Sequence, residues 1–444
     1  MALLASIQNN IFTTCSDLDT INLFGQTFQS ELNRLTHAKP TVESGRAATL
    51  GSLDEHGLTP SRALFGADYV EVNRTLVGML AAKWLLAGDY HSFTRFQNPK
   101  IKLRPASFNK LRGLLLQNLP EPEDIYALLV AIMINDLGKD DDLQRSIPSP
   151  PPSSINKRAS AHRNHDEILF TAANAGLIPA LESLPSRSRS DLILGLELGC
   201  KLNLAQLAQA ENVPGSLKSM KLLRGNKRAF DLKYMEVLLD IAGAAGHIDS
   251  RCATQMSEPV FQSYLATHGA MKGAMDEHIT LRQAYDLVLT ARAKILQNDG
   301  LQVLSISDPR QRSLLRLMTM GRVADSKMAG CFAQAFDELD ENIRDSLVKG
   351  LSADGLDRPA VIPYYAPGLI AEGLKNRADD STTTKIRILG ALMRFLARVY
   401  DHPTVAHMSR HPVVMEVDLS FAQAEVASEL FKTNPTVLDS LVVV

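Results

Sequence analysis

One stretch, residues 120–139 with the sequence PEPEDIYALLVAIMINDLGK, limits the possible folds more than any other part of the chain. Its interior, IYALLVAIMI, is apolar on every face of a helix, so a helix here has to be buried on all sides. Pro122 and the acidic residues around it suit a helix N-terminus, and Gly138 suits the position just after a helix C-terminus. The stretch therefore predicts a helix that other helices surround.

The carboxylate of Asp136 lies at the end of this apolar helix, and we expect it in the last helical turn. The helix dipole is negative there, which makes a carboxylate less favourable. A buried, ionised carboxylate is costly unless it is paired with a cation or binds a metal ion. Lys139 could supply the cation within the same segment. A metal site is the other explanation.

Helical periodicity dominates the rest of the chain. Apolar residues recur every three or four positions in five further segments, which predicts an all-α fold. These segments are residues 72–88, 108–119, 191–210, 233–246 and 280–296. The sequence allows two short strands at 302–307 and 413–419, and proline-rich breaks at 146–158 and 361–368. We predict an N-terminal helical region over 1–100, a central core over 101–250 and a C-terminal helical region over 251–444.

The composition excludes several classes of protein. The 444 residues are 45% hydrophobic with a net charge of −2, which indicates an ordinary globular protein and predicts no nucleic-acid or membrane partner. The cysteines show no CxxC spacing, which argues against a disulfide framework or a zinc knuckle. The N-terminus lacks the pattern of a secretory signal, so we expect a cytoplasmic protein. The sequence leaves the oligomeric state open.

A second polar stretch, AHRNHDEILF at 161–170, carries His162 and His165 three residues apart. That spacing places both imidazoles on one face of a helix, with Asp166 and Glu167 adjacent. Imidazole and carboxylate together form the usual ligand set for non-haem iron, manganese or zinc. The same residues would also be ordinary at the exposed start of a helix.

Together, the two stretches resemble the HD-domain superfamily, and in particular its myo-inositol oxygenase-like branch. The sequence Asn-Asp-Leu-Gly-Lys at 135–139 is similar to the HDLGK element of that branch, and His-Asp-Glu at 165–167 is similar to its HDE-aromatic element. The segment NKRAFDLKY at 226–234 resembles a third element, which places Asp231 at the family's final metal aspartate. Glu197 falls where a family helix supplies a histidine. The resemblance covers roughly residues 105–240 and implies an HD-domain-like helical core with extra helices on both sides.

The chain departs from the family pattern at the first metal position. Asn135 stands where the family has the histidine of its His-Asp pair, and Asn109 stands near the position of an upstream histidine. Neutral amides bind iron poorly. The family's ligands that remain in this chain belong mainly to its second metal position. They include Asp136 and His165. The resemblance therefore implies one metal ion and a degenerate first site, or no metal at all.

The third ligand is open between Glu197, Asp231 and His247. Glu197 could instead form an i,i+4 ion pair with Lys201, and Asp231 could pair with a basic neighbour. His247 lies seven residues after Asp240 and could complete a two-histidine, one-carboxylate triad, provided that the helix continues through the intervening glycines. It could equally be a buried histidine bonded to Asp240 or to a helix end.

The resemblance implies a metal-dependent oxygenase or oxidase of a small polar metabolite. The cofactor would be a mononuclear non-haem iron, Fe(II), or another divalent metal, and the partners would be a small-molecule substrate and dioxygen. Lys139 would neutralise an anionic oxygen of the substrate. One alternative is an HD-type metal-dependent phosphohydrolase. Another is a degenerate, non-catalytic HD scaffold, in which the lost ligands mark a helical interaction module.

Overall fold

The computed structural model describes residues 2–39, 58–147, 164–375, 381–401 and 414–442. Within these ranges the chain is all-α with two short strands, which confirms the predicted fold class. His162 and most of the proline-rich segment 146–158 lie outside the described residues. Among the helices that are described, none combines the length and the apolar content needed to span a bilayer.

The described residues of the first half of the chain form fifteen helices by our numbering. They are α1 (Ala2–Gln8), α2 (Ile11–Thr14), α3 (Asp17–Thr27), α4 (Gln29–Leu35), α5 (Pro60–Phe65), α6 (Val70–Ala87), α7 (Tyr90–Thr94), α8 (Pro105–Asn118), α9 (Pro122–Ile134), α10 (Asp141–Ser146), α11 (His165–Asn174), α12 (Pro179–Glu182), α13 (Ser186–Gly199), α14 (Leu204–Ala208) and α15 (Lys227–Gly243). Two 3₁₀ segments, Leu137–Lys139 and Pro214–Leu223, lie between them.

The second half continues with further helices and the two strands. They are α16 (Glu258–Met275), α17 (Leu281–Asn298), α18 (Pro309–Met320), α19 (Ser326–Asp337), α20 (Glu341–Ser352), β1 (Ala360–Tyr364), α21 (Ala366–Leu374), α22 (Thr382–Tyr400), β2 (Val414–Asp418), α23 (Gln423–Ala427) and α24 (Glu429–Thr433). Short 3₁₀ segments flank the last two helices, at Ser420–Ala422 and Pro435–Ser440.

The chain divides into two compact units. Unit 1 comprises residues 1–201 and 222–262, and unit 2 comprises residues 202–221 and 263–444. The boundary predicted at residue 100 falls inside unit 1, which holds the expected N-terminal region and the expected core apart from residues 202–221. The boundary predicted at 250 lies near residue 262, where unit 1 ends.

Helix α9 is the buried helix that the sequence predicts. Every residue from Ile125 to Ile134 is buried, and the N-terminus carries a capping box between Glu121 and Asp124. The expected C-terminus was wrong in detail, because α9 ends at Ile134 and a 3₁₀ turn follows. Asp136 therefore lies just beyond the helix, as the residue before that turn, rather than in the last helical turn.

Within unit 1, helices α6, α9 and α15 pack on one another and form the centre of the body. Glycines allow the backbones of α6 and α15 to approach closely. A Cβ atom at Gly78 would lie 2.8 Å from the carbonyl oxygen of Leu239, and one at Gly243 would lie 2.2 Å from that of Arg74. This contact places the polar residues at the start of α6 beside the end of α15.

Unit 2 contains the only sheet of the described residues, in which β1 and β2 pair in parallel, with Ala360 opposite Val414. The strand predicted at 413–419 is confirmed, whereas residues 302–307 form no strand. The segment 361–368, expected as a break, instead holds most of β1 and the start of α21.

A buried arginine ties the elements of unit 2 together. The Arg316 guanidinium donates to the carbonyl oxygens of Ala210, Glu211, Asn212 and Leu351 at 2.8–2.9 Å. These bonds satisfy the backbone of the turn after α14, where Ala210 adopts a left-handed conformation with φ of 54°.

Candidate functional site

The candidate site begins at the turn after α9, where two carboxylates share one ammonium group. Lys139 Nζ lies 2.7 Å from Asp136 Oδ1 and 3.2 Å from Glu71 Oε2. The side chains of Lys139 and Asp136 are 6% and 7% exposed, and that of Glu71 is fully buried. Lys139 is thus the counter-ion of both acids in a region that water barely reaches.

The two acids have opposite pKa shifts because burial dominates at Glu71, whereas the neighbouring cations dominate at Asp136. Burial and the neighbouring Asp136 raise the pKa of Glu71 to about 7. Burial alone would also raise the pKa of Asp136, but Lys139 and Arg74 outweigh it and hold that pKa well below its usual range. Asp136 is therefore the ionised member of the pair, and Glu71 is the member that binds a proton more readily.

Two further charged groups approach from α6 and α15. Arg74 pairs with Glu71 at 3.2 Å and lowers the pKa of Asp136. Burial and the negative charge of Asp136 raise the pKa of Asp240 on α15. The mutual packing of α6, α9 and α15 thus brings three acids and two bases into one electrostatic cluster. We call it the buried charge cluster, and it consists of Glu71, Arg74, Asp136, Lys139 and Asp240.

His247 lies near this cluster but outside the helix that was expected to carry it. Helix α15 ends at Gly243, so His247 belongs to the turn that follows and does not share a helical face with Asp240. The imidazole is buried, and burial and then Arg74 lower its pKa. Within the described parts of the chain, its Nδ1 atom has no hydrogen-bond partner.

A second buried pair lies on α15, one turn before Asp240. Lys233 Nζ contacts Glu236 Oε2 at 2.7 Å, and burial raises the pKa of Glu236 to about 7. The other oxygen, Oε1, is buried and has no hydrogen-bond partner among the described residues. Both side chains line a cavity of about 10 Å³, which has room for roughly one water molecule.

The backbone of His165 is held against the turn that contains Asp136. A Cβ atom at Gly138 would lie 1.8 Å from the carbonyl oxygen of His165, so only glycine fits there. Gly138 is thus needed for this contact rather than for ending α9, which stops at Ile134. The imidazole of His165 is 37% exposed, and its Nε2 lies 3.7 Å from Asp166 Oδ1.

Two of the other predicted ligands have close cationic partners. Glu197 on α13 contacts Lys201 at 2.6 Å, which is the i,i+4 pair foreseen as its alternative role. Asp231, buried on α15, contacts Lys227 one turn earlier at 2.5 Å.

The arrangement does not fit the implied metal centre. In the parts of the chain that the structure describes, no three His, Cys, Asp or Glu side chains are placed to hold a metal ion. Asp136 already forms an ion pair with Lys139, and the side chain of His165 is 37% exposed. A bound iron, manganese or zinc ion would need these side chains to converge and Lys139 to move away.

Sequence reasoning missed Glu71, Arg74 and Glu236. A signal was present, since Glu71 and Arg74 stand three residues apart at the start of a largely apolar helix. Lys233 and Glu236 have the same spacing within α15. That spacing predicts an ion pair on one helical face. It does not reveal which pair faces Asp136, because that depends on how α6 and α15 pack.

Comparison with known proteins places the chain in a family. No curated protein and no solved structure matches the chain. A family with the description "Family of unknown function (DUF6829)" matches residues 21–438. Because the match spans nearly the whole sequence, the chain belongs to this family of unknown function.

Proposed function

We propose that unit 1 is an HD-like helical scaffold that works without a metal ion, and that the protein acts by binding partners rather than by catalysis. The single observation behind this proposal is the position of Lys139, whose ammonium contacts Asp136 and Glu71 together. The positive charge that a metal would supply to Asp136 comes from the chain itself.

The charge of the cluster supports this assignment. Arg74 and Lys139 already supply two positive charges, and the raised pKa of both Glu71 and Asp240 reduces the negative charge that faces them. A divalent cation would enter next to two fixed cations in a medium of low dielectric constant, where repulsion is strong. The loss of histidine at Asn109 and Asn135 agrees with the same conclusion.

The small volume beside the second buried pair also argues for a packed scaffold. The cavity lined by Lys233 and Glu236 measures about 10 Å³, whereas pockets for small molecules measure about 300–1,000 Å³. A polar metabolite would need the surrounding helices to separate before it could reach these side chains. Packed helices with a fixed ion network suit a structural role.

Elemental analysis tests the proposal. The native protein, purified without added metal or chelator, should carry far less than one equivalent of iron, manganese or zinc. An Asp136→Ala variant should have the same metal content, and Glu182→Ala, which alters an exposed ion pair with Arg189 and none of the predicted ligands, is the matched control. About one metal ion per chain in the native protein, lost in Asp136→Ala and kept in Glu182→Ala, would contradict a metal-free scaffold.

One observation favours the metal-dependent oxygenase as a second candidate. The contact between Gly138 and the His165 carbonyl brings the start of α11 against the turn that carries Asp136. If the imidazole turned inward and Lys139 moved toward a substrate, Asp136 and His165 could share one ion. This candidate, like the phosphohydrolase, requires the metal content described above. Oxygen consumption then separates the two enzymes, because only the oxygenase uses dioxygen.

A further inference from the structure

We propose that unit 1 carries a docking surface for anionic membranes, independent of the buried charge cluster. The surface is formed by the loop of residues 95–104, with the sequence RFQNPKIKLR, and by the adjoining turn at Ile248. We call it the basic loop surface. It combines cations that form no ion pairs with partly exposed apolar side chains, on a loop that buried hydrogen bonds hold in place.

Among the described residues, the cations of this loop have no ion-pair partners. Arg95, Lys100, Lys102 and Arg104 occur within ten residues that contain no acid, and none of the four forms an ion pair in the described parts of the chain. Arg251, on the neighbouring turn, is already neutralised by two contacts of 2.9 Å with Asp249. Arg95, Lys100 and Arg104 are exposed, and Lys102 is half-buried with its ammonium 5.5 Å from the Tyr90 ring centroid. This excess of positive charge lies in a protein whose net charge is −2.

Three large apolar side chains are exposed in the same two segments. Phe96 is 46% exposed, Ile101 is 44% exposed and Ile248 is 42% exposed. Isolated apolar residues are common on protein surfaces, but this group alternates with the unpaired cations. Basic residues that attract lipid phosphates, together with apolar residues that enter the acyl boundary, are typical of interfacial membrane binding.

Hydrogen bonds to the segment 253–258 hold the loop in place, so its exposed residues do not belong to an unsupported loop tip. The buried Gln97 side chain donates to the carbonyl oxygens of Ala253 and Met256 at 2.7 and 3.0 Å, and it accepts from the Leu103 amide at 2.9 Å. The Ile101 carbonyl oxygen accepts from the Glu258 amide at 2.9 Å.

Rigid support matters because it removes much of the entropy that the loop would otherwise lose on binding. The Arg95 Nε atom also donates to the Arg251 carbonyl oxygen at 2.9 Å, which ties the loop to the turn that carries Ile248. The loop and the turn are therefore joined in the unbound protein.

The pattern favours lipid over single-stranded nucleic acid. Nucleic-acid surfaces of this kind use open aromatic faces on which bases stack. Here the Arg251 guanidinium covers one face of Phe96, with its carbon 3.8 Å from the ring centroid. The other exposed apolar residues, Ile101 and Ile248, are aliphatic and offer no stacking face, whereas they suit the acyl boundary of a bilayer.

Vesicle sedimentation tests the proposal with the full chain. The protein should bind vesicles of phosphatidylcholine with about 30% phosphatidylserine and should not bind phosphatidylcholine alone. Binding should fall steeply when ionic strength rises from ~0.15 to ~1 M, where the screening length drops to ~3 Å. A Lys100→Gln, Lys102→Gln variant should bind about thirtyfold more weakly, at about fivefold per basic residue.

The controls separate charge, apolar contact and fold. Ile101→Ser should weaken vesicle binding without changing the melting temperature, because the side chain is exposed. Lys272→Gln, Lys294→Gln removes two exposed lysines of unit 2 and should leave binding unchanged. Equal binding to both kinds of vesicle, no binding to either, or undiminished binding by the Lys100 and Lys102 variant would overturn the proposal.

A parallel titration with a single-stranded oligouridylate decides the class of ligand. We expect no binding at physiological ionic strength. Binding that is tighter than vesicle binding and insensitive to Ile101→Ser would assign the surface to nucleic acid and overturn the membrane proposal. Neither result depends on metal content, so this test and the test of the metal-free scaffold can fail separately.

Discussion

The ammonium of Lys139 lies 2.7 Å from the carboxylate of Asp136, and both side chains are almost completely buried. The residues are only three positions apart, yet they are joined at a turn and not along a helix. Burial makes this pair different from the many exposed ion pairs of the chain, because water cannot solvate the remaining charge when its partner is removed.

We predict that Lys139→Met lowers the free energy of unfolding by about 3–5 kcal/mol, because it leaves Asp136 buried and unpaired. The double variant Lys139→Met, Asp136→Asn should recover part of that loss, since no uncompensated charge remains. Urea unfolding measures both. Lys201→Met, which breaks the exposed pair with Glu197, should cost below about 1 kcal/mol. An unchanged stability in Lys139→Met would show that Lys139 is not the counter-ion.

We predict that stability falls as pH rises from about 5 to about 8, and that Glu236→Gln reduces this fall. The pKa of Glu236 is raised from 4.5 to about 7 by burial, so the native state holds a proton that the unfolded chain has released. Such a group stabilises the fold fully below pH 4.5 and loses that contribution as pH passes 7. Glu71, with a pKa of about 7, acts in the same direction.

Thermal unfolding across this pH range measures the effect. The slope that one such group contributes is at most about 1.4 kcal/mol per pH unit. Glu182→Gln changes an exposed glutamate and should leave the slope as it is in the native protein. If Glu236→Gln has the native slope as well, then Glu236 is ionised in the folded protein. The favourable interaction of its carboxylate with Lys233 would then outweigh the free-energy cost of burying that charge.

We predict that Gly138→Ala destabilises unit 1 by more than about 2 kcal/mol. The new methyl group would lie 1.8 Å from the His165 carbonyl oxygen, so the start of α11 would have to move away from the turn. Gly113→Ala is the control, because its nearest neighbour, the Gln117 side chain, is 4.0 Å away. That change in the middle of α8 should stabilise by about 0.5–1 kcal/mol. Equal stability of both variants would contradict the close contact.

We predict that Arg316→Lys costs about 2–5 kcal/mol in unit 2, because one ammonium cannot replace the planar guanidinium that serves four carbonyl groups. Chemical unfolding gives the value. Arg310→Lys alters an exposed pair with Asp345 and should be nearly neutral. A small effect in both variants would mean that water replaces the lost bonds and that the turn after α14 does not depend on Arg316.

The sequence by itself determined the helices and their character. The unbroken apolar run from Ile125 to Ile134 could only be a helix buried on all sides, and the acids near Pro122 marked its start, because these features depend on neighbouring residues along the chain. The cost of burying Asp136 also followed from the sequence, since it requires a positive partner whatever the fold is.

Only the tertiary structure decided which partner that is. Glu71 precedes Asp136 by 65 residues, and the two meet because α6 packs on α9 and Asp136 lies in the turn after α9, a packing that no local pattern encodes. The basic loop surface is divided in the same way: the sequence at 95–104 shows the four cations, but which of them are exposed and which apolar neighbours they have depends on the fold. Charges act through distance in space, so their roles emerge only when the packing of the helices sets those distances.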